Sequence, residues 1–147
     1  MKALRGTLVG LDTAPLIYLI EEHATYIPLV RPFFEALDRD EFRVVTSTLT
    51  LTEVLIHPMR HGDHELANRY RDTLLHATSL TTMPVPEEIA EQAAELRARH
   101  NLRTPDAIQL ATALAAGASS FLTNDSQLPR LARLNTLVLS QLIQPQP

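Results

Sequence analysis

The chain alternates short runs of apolar and β-branched residues with longer stretches in which apolar residues recur at helical spacing. Runs of the first kind predict five β-strands, at residues 7–11, 43–46, 80–85, 120–123 and 136–139. Strands separated by helices pair in parallel through right-handed crossovers, so that helices cover the sheet. We therefore expect an α/β domain with a central, mostly parallel sheet.

Helical segments fill the intervals between the predicted strands. Capping residues, prolines and apolar spacing place them at 12–20, 27–37, 49–56, 63–77, 86–96, 105–116 and 128–134. The clearest is 105–116, where Thr104 is a suitable N-cap, Pro105 occupies the first helical position and Gly117 ends the helix. The alternation continues along the chain without repeats or low-complexity tracts.

Length and composition fit a single globular domain. The 147 residues, of which 45% are hydrophobic and 20% charged, can bury one substantial core. We predict one domain over 1–147, with a frayed tail at 144–147. Cysteine is absent, which excludes disulfides and cysteine-ligated zinc and agrees with a reducing compartment. The apolar run before Asp12 is too short for a signal peptide or a membrane span, so we expect a cytoplasmic protein without a membrane role.

Four acidic residues stand where acids are unusual: Asp12, Glu53, Asp106 and Asp125. Asp12 and Asp125 follow predicted strands, and the other two interrupt apolar helical segments. Ligands of parallel sheets bind beyond the carboxyl ends of strands, where the strand order reverses, so topology draws Asp12 and Asp125 together. Carboxylates gathered in this way repel one another and are expected to persist only when a cation neutralises them. The pattern therefore predicts a divalent-metal site with oxygen ligands.

Each of these acids also has a structural explanation. Asp12 can cap the helix that follows, Asp106 can complement a helix dipole, and Asp125 can form an Asx turn. Glu53 shares a helical side with Thr50 and can face solvent. Four separate explanations would have to hold at places that the fold draws together, which favours the metal site.

The charge pattern bears only weakly on partners. The formal net charge is −4, without the basic excess typical of nucleic-acid-binding domains, although two bound divalent cations would cancel it. Twelve of the 13 basic residues are arginine, which suits bidentate phosphate contacts but also follows from codon bias and solvated surfaces. The candidate phosphate contacts are Arg97, Arg99 and Arg103, together with His100.

Three histidines close in sequence, His57, His61 and His64, raise the alternative of a zinc site. A helical zinc pair needs intact turns on one face, whereas Pro58 and Gly62 predict a loop that exposes these histidines to solvent. The sequence contains no glycine-rich nucleotide-binding loop and no Gly-x-Ser-x-Gly elbow. The oxygen ligands of the four acids suit a harder cation better than zinc.

Four motifs, in this order, resemble the PIN-domain family, and within it the toxin nucleases of VapBC toxin–antitoxin pairs. They are Leu-Asp-Thr at 11–13, Thr-Glu-Val-Leu at 52–55, Thr-Pro-Asp-Ala-Ile-Gln-Leu-Ala-Thr-Ala at 104–113 and Leu-Thr-Asn-Asp at 122–125. The resemblance covers nearly the whole chain and implies a three-layer α/β/α domain. It also implies a metal-dependent endoribonuclease that hydrolyses RNA, forms a homodimer and is inhibited by an antitoxin protein.

The resemblance implies roles for individual residues. The four acids would bind Mg²⁺, with Mn²⁺ as a substitute, and catalyse hydrolysis to a 5′-phosphate product. Glu53 would either bind metal or orient the attacking water, and the site would hold either one or two ions. The hydroxyls of Thr13 and Thr123 would support the site. Ala14 stands where many relatives carry Ser, Thr or Asn, so a supporting hydrogen bond is either missing or supplied by Thr13.

Two other functions stay open at this point. One is a PIN-like binding or regulatory module that cleaves nothing, against which the four intact acids argue. The other is a phosphatase with Asp12 as nucleophile, a chemistry that usually requires a second acid at the position of Ala14. An RNA substrate could be held by phosphate contacts and base stacking. Tyr18, Tyr26 and Phe42 are available for stacking, although we expect them in the core.

Overall fold

The computed structural model describes residues 1–142, and within them the chain forms five β-strands and six α-helices. The strands are β1 (Leu8–Leu11), β2 (Arg43–Ser47), β3 (Leu80–Met83), β4 (Ser120–Thr123) and β5 (Asn135–Val138). The helices are α1 (Thr13–Ile20), α2 (Ile27–Asp38), α3 (Thr48–His61), α4 (His64–His76), α5 (Glu87–Arg99) and α6 (Thr104–Ala115). The tail predicted at 144–147 lies outside the described residues. No helix within residues 1–142 combines the length and apolar character needed to cross a bilayer.

The five strands form one parallel sheet in the order β3-β2-β1-β4-β5. β1 lies at the centre, where Gly10 is level with Val45 of β2 and Phe121 of β4. The chain first builds β2 and β3 on one side of β1 and then β4 and β5 on the other, so the strand order reverses between β1 and β4. Ligand sites in such sheets form at this switch point, beyond the carboxyl ends of the strands. The predicted α/β class is confirmed.

Helices cover both faces of the sheet, because successive residues of a strand point to opposite faces. Val9, Leu11 and Leu122 belong to one core, which they share with buried side chains of α1 to α4. Val45 and Phe121 belong to a second core, which they share with α5 and α6. The molecule is therefore the three-layer α/β/α domain that the resemblance implies.

The short helix predicted at 128–134 is wrong, because the segment between β4 and β5 forms turns. Pro129 lacks a backbone N–H and disfavours the helical conformation at Leu128 before it. Leu134 and Leu131 instead form an isolated antiparallel bridge, in which the Leu134 N–H donates to the Leu131 carbonyl at 3.3 Å. The leucines of this segment still pack into the second core, so their spacing reflects burial and not a helix.

The loop predicted around the histidines is also wrong, because α3 continues to His61 and ends at Gly62, which has a left-handed φ of 65°. Pro58 lies inside the helix and is buried, although a proline removes one helical hydrogen bond. His57 and His61 lie one turn apart, with ring centroids 4.4 Å from each other. His64 begins α4. All three histidines are exposed, as predicted.

The central strand β1 and helix α6 approach each other closely at Gly10. A Cβ atom at this position would lie 2.6 Å from the Ala113 Cβ and 2.7 Å from the Phe121 Cδ2. Both distances are shorter than real side-chain contacts, so glycine is needed for α6 to pack at this distance. The close approach matters for the site because α6 carries Asp106.

Gly10→Ala should lower the free energy of unfolding by about 1–3 kcal/mol, the usual cost of overpacking a core. Urea unfolding followed by circular dichroism measures this change. Ala113→Gly removes one of the two clashes, so the double variant should be less destabilised than the sum of the single changes. Equal stability of Gly10→Ala and wild type would show that α6 does not pack this closely on β1.

Candidate metal centre

Asp12 and Asp125 lie on either side of the switch point in the sheet. Asp12 follows β1 and caps α1, and its Oδ1 accepts a hydrogen bond from the Thr13 N–H at 2.8 Å. Asp125 follows β4, and its Oδ1 accepts from the Gln127 N–H at 2.8 Å in an Asx turn. The helix cap and the Asx turn considered from the sequence are therefore both present. They fix the two carboxylates while leaving lone pairs on their oxygens.

Glu53 and Asp106 reach the same place from two helices. Glu53 lies in the second turn of α3, and Asp106 lies in the first turn of α6. Together with Asp12 and Asp125 they line one pocket of about 500 Å³, and each of the four is partly buried. The fold therefore brings the four predicted acids, from four separate elements, to a single pocket.

The two threonines predicted to support the site contact these acids. The Thr123 Oγ1 donates to the Asp12 Oδ2 at 2.7 Å and accepts from the Asp125 N–H at 3.0 Å. The Thr13 Oγ1 donates to the Glu53 Oε1 at 2.8 Å. One hydroxyl therefore joins Asp12 to Asp125, and the other holds Glu53.

A buried polar network lies beneath Glu53 and was not predicted from the sequence. Gln109 of α6 donates through Nε2 to the Thr50 Oγ1 at 2.6 Å and, at a longer 3.5 Å, to the Thr13 Oγ1. The Gln109 Oε1 accepts from the Ser47 Oγ at 2.9 Å. The sequence signal for this network is a glutamine between apolar neighbours of α6, a placement that requires buried partners.

The direction of these hydrogen bonds follows from the number of protons. Thr46 donates its one hydroxyl proton to the Leu11 carbonyl at 3.0 Å, so Thr50 is the donor in the 2.7 Å contact between the two threonine hydroxyls. Thr50 then has no proton for the Thr13 hydroxyl, 3.3 Å away. Thr13 donates its own proton to the Glu53 Oε1, which is an acceptor at the shorter distance of 2.8 Å.

The pocket carries an excess of negative charge. Burial raises the pKa of Asp12 above its ordinary value, and the charges of Asp106 and Glu53 raise it further, while hydrogen bonds from two threonines act in the opposite direction. Among the described residues that line the pocket, Arg103 is the one cation. Its Nε donates to the Asp106 Oδ2 at 3.2 Å, and this hydrogen bond raises the pKa of the guanidinium. One arginine does not balance four carboxylates.

The ligand atoms that the pocket offers fit a hard divalent cation, because they are oxygens of carboxylates and amides. Within residues 1–142 no three acids or histidines lie close enough to enclose an ion by themselves. Mg²⁺ usually takes one or two carboxylates and keeps several waters, so an open, hydrated site agrees with this spacing. Asn124 also lines the pocket, and its Oδ1 is buried with no hydrogen-bond partner among residues 1–142. Ala14 also lines the pocket.

Of the arginines predicted to contact phosphate, Arg103 alone lines this pocket. The Arg97 Nε donates to the Leu102 carbonyl at 2.7 Å and braces the turn before α6. Arg99 pairs with Glu95 at 2.8 Å across one turn of α5. A phosphate would therefore have to compete with the present partners of Arg97 and Arg99.

Arg130 and Arg133 are two further basic residues near the site, which the sequence did not single out. They line a groove of about 620 Å³ that also includes Asp125, so this groove adjoins the acidic pocket. Within the described residues neither arginine forms an ion pair. Their guanidiniums are therefore available to a phosphate group.

The raised pKa of Asp12 predicts a stability penalty in the metal-free protein. Because the folded-state pKa lies above the unfolded-state value, the penalty is absent below the unfolded-state pKa and complete above the folded-state pKa. In EDTA at pH 7, Asp12→Asn should therefore raise the free energy of unfolding, since asparagine keeps the helix cap without the charge. The gain should shrink as the pH falls toward about 4, which urea unfolding across this range measures.

Asp72→Asn makes the same chemical change at an exposed position of α4 and serves as the control. It should stay within about 0.5 kcal/mol of wild type at every pH. If Asp12→Asn instead lowers the free energy of unfolding at pH 7 in EDTA, burial and the neighbouring acids do not destabilise the fold through the Asp12 carboxylate.

Comparison with known proteins agrees with this architecture. A family model for the PIN domain matches residues 9–134, a range that contains all four acids. None of the curated protein sequences matches the chain significantly. Among solved structures, a toxin–antitoxin complex from Klebsiella pneumoniae has a TM-score of 0.66 at 23% identity, over 88% of this chain and 95% of that chain.

Two further structures have the same fold. VapBC2 from Rickettsia felis, bound to a DNA fragment from their promoter, has a TM-score of 0.67 at 16% identity, over 89% of this chain and 98% of that chain. VapC20 from Mycobacterium tuberculosis, a sarcin–ricin loop cleaving toxin, has a TM-score of 0.65 at 19% identity, over 78% of this chain and 87% of that chain. At such identities the likeness concerns the fold, whereas the family model spans most of the sequence. The chain belongs to the PIN-domain family.

Proposed function

We propose that this chain is an endoribonuclease that hydrolyses RNA phosphodiester bonds with Mg²⁺, or with Mn²⁺ in its place, and that it is the toxin of a toxin–antitoxin pair. The observation that carries the proposal is the convergence of four carboxylates, from four separate elements, on one pocket at the switch point of the sheet. Membership of the PIN-domain family supports the same activity.

Asp12, Asp106 and Asp125 would hold the cation, which when bound supplies positive charge against the phosphodiester and lowers the pKa of a water molecule. The Thr123 hydroxyl donates to the Asp12 carboxylate and accepts from the Asp125 N–H, so it links one carboxylate to the backbone of the other residue. Asp106 is held by Arg103 at the start of α6. Each side chain is therefore held by its own hydrogen bonds. Because no three acids within residues 1–142 lie close enough to enclose an ion by themselves, the cation would be bound partly through water molecules.

Glu53 would either join these ligands or orient the attacking water. The Thr13 hydroxyl bonds to the Glu53 Oε1, which leaves the Oε2 available to accept a hydrogen bond or a proton from that water. Attack of water in line with the leaving oxygen would release a 5′-phosphate product. The buried network beneath Thr13 would keep Glu53 in one orientation during this step.

Phosphate contacts would come from Arg103 at the pocket and from Arg130 and Arg133 along the adjoining groove. The Arg103 side chain is 80% exposed although it bonds to Asp106, so its remaining N–H groups can reach a phosphate. Arg97 and Arg99 stay candidates for contacts further from the pocket. A short row of arginines of this kind would bind the phosphates of single-stranded RNA without specificity for its sequence.

The toxin role rests on similarity. The solved structures with this fold include a toxin–antitoxin complex and VapBC2, and we infer from them that this chain binds an antitoxin protein. A homodimer and a cytoplasmic location belong to the same proposal. Growth arrest on expression, relieved by the product of an adjacent small gene, would test the partner independently of the chemistry.

Purified protein should cleave single-stranded RNA in the presence of Mn²⁺ or Mg²⁺, leave 5′-phosphate ends and lose activity in EDTA. Asp12→Asn and Asp106→Asn should each lower kcat by about 100-fold or more, since even the residues that orient metal ligands are worth 10- to 100-fold. Asp72→Asn, the exposed control, should keep wild-type activity. Gel analysis of an end-labelled RNA measures all four proteins under one set of conditions.

Two outcomes would count against the proposal. Wild-type activity of Asp106→Asn would remove the four-acid arrangement from the mechanism. A wild-type protein that binds Mn²⁺ yet cleaves no RNA would favour the catalytically silent binding module.

A further inference from the structure

Three aromatic side chains form a cluster at the turn between α1 and α2. Tyr18 and Tyr26 are stacked, with ring centroids 4.4 Å apart and an interplanar angle of 20°. His23 packs against both, with its ring centroid 5.0 Å from that of Tyr18 and 5.0 Å from that of Tyr26. We call these three residues the aromatic cluster.

The aromatic cluster adjoins the acidic pocket. Tyr18 lines that pocket together with the four acids. Its hydroxyl accepts a hydrogen bond from the Asn124 Nδ2 at 3.2 Å, and Asn124 directly precedes Asp125. Because the Tyr18 oxygen is an acceptor in this contact, its own proton is free for another acceptor.

The aromatic cluster lies at the edge of the first core and not inside it: Tyr18 packs against that core, as expected from the sequence, but is only partly buried. Phe42 is 2% exposed and packs in the core, as expected. Tyr18 and Tyr26 are each only partly buried, and His23 is exposed. Part of the aromatic surface of the cluster is therefore exposed beside the pocket.

The backbone holds the cluster in place. The His23 N–H donates to the Tyr18 carbonyl at 3.0 Å, and the Tyr26 N–H donates to the His23 carbonyl at 3.1 Å. The Thr25 N–H donates to the His23 Nδ1 at 3.2 Å, which orients the imidazole. The turn contains Glu22 at a φ of 50°, a left-handed conformation that non-glycine residues rarely adopt. The rings are thus arranged without the help of a ligand.

We propose that the aromatic cluster is a stacking site for one nucleobase of single-stranded RNA, next to the phosphodiester that is cleaved. This inference rests on the proposed nuclease function. A strand whose phosphate lies in the acidic pocket must place a neighbouring base at the pocket rim, and Tyr18 forms that rim on the α1 side. Aromatic side chains stack on any base, so the site selects unpaired RNA and not a particular nucleotide.

The test uses a short RNA with one mapped cleavage site and variants of Tyr26, which lies outside the metal site. Tyr26→Leu keeps apolar volume but removes the flat ring, and kcat/KM should fall by about 5- to 150-fold, the range measured when stacked aromatics are truncated. The fall should appear mainly in KM. Tyr26→Phe keeps the ring and should stay within about twofold of wild type, because stacking requires no hydroxyl.

Two further RNAs separate stacking from a structural role. One lacks the base on the 5′ side of the cleaved bond, and the other lacks the base on its 3′ side. For wild type, one of these abasic RNAs should be cleaved with the same loss that Tyr26→Leu shows on intact RNA. Tyr26→Leu should then show no further loss on that abasic RNA. If Tyr26→Leu instead cleaves the abasic RNA with a loss equal to the product of the two separate losses, the base contacts something other than Tyr26. That result would overturn the inference.

His23→Ala changes an exposed residue and provides a second variant if Tyr26→Leu does not fold. It should lower kcat/KM on intact RNA and leave cleavage of the same abasic RNA unchanged, with a melting temperature near that of wild type. Unchanged kcat/KM in folded Tyr26→Leu and His23→Ala would refute the stacking site while leaving the nuclease intact. Failure of wild type to cleave any RNA would refute the nuclease and the stacking site together.

Discussion

Repulsion between carboxylates at the switch point between β1 and β4 is the constraint that the rest of the structure has to satisfy. Burial and two neighbouring acids raise the pKa of Asp12, and among the described residues that line the pocket Arg103 alone carries a positive charge. A domain of this size has a net stability of only about 5–15 kcal/mol, so such a charge excess is a substantial burden. The parallel sheet imposes it, because β1 and β4 both end at the same place. A bound cation would relieve it.

The protein meets this constraint with hydrogen bonds that fix each acid before any ion binds. Thr123 spans Asp12 and Asp125, and Thr13 holds Glu53. Beneath them, buried hydroxyls and the amide of Gln109 satisfy one another, which removes the usual cost of burying polar groups. Asn124 is the exception, since its Oδ1 has no partner within the described residues. Asn124 lines the pocket, but this oxygen itself is buried.

The sequence predicted the features that depend on local pattern. All five strands occur within about two residues of the predicted positions, because alternation and β-branching report directly on strands. Helix α6 begins at Thr104, one residue before the predicted start at Pro105. Asp12 and Asp125 were placed at one edge by topology alone. Glu53 and Asp106 were singled out because an acid interrupts an apolar helical segment, and the resemblance to known motifs then assigned roles to all four.

The features that the sequence missed depend on tertiary contacts. The apolar spacing of Leu128, Leu131 and Leu134 matches a helix, but the leucines reach the core from a series of turns. Pro58 lies inside α3 and is buried, so the helix continues through a residue that the local rule treats as a breaker. The partners of Gln109 lie on α1, α3 and the end of β2, so its network becomes visible only once those elements are packed together.

Binding of Mn²⁺ to the metal-free protein, followed by electron paramagnetic resonance, tests directly whether the four acids act on one ion. Wild type and the control Asp72→Asn should bind Mn²⁺ alike, whereas Asp12→Asn, Asp106→Asn and Asp125→Asn should each weaken binding by at least about tenfold. Glu53→Gln should weaken binding if Glu53 is a ligand, and should leave it unchanged if it orients water. Equal affinity of wild type and the three aspartate variants would show that these carboxylates share a pocket without sharing a cation.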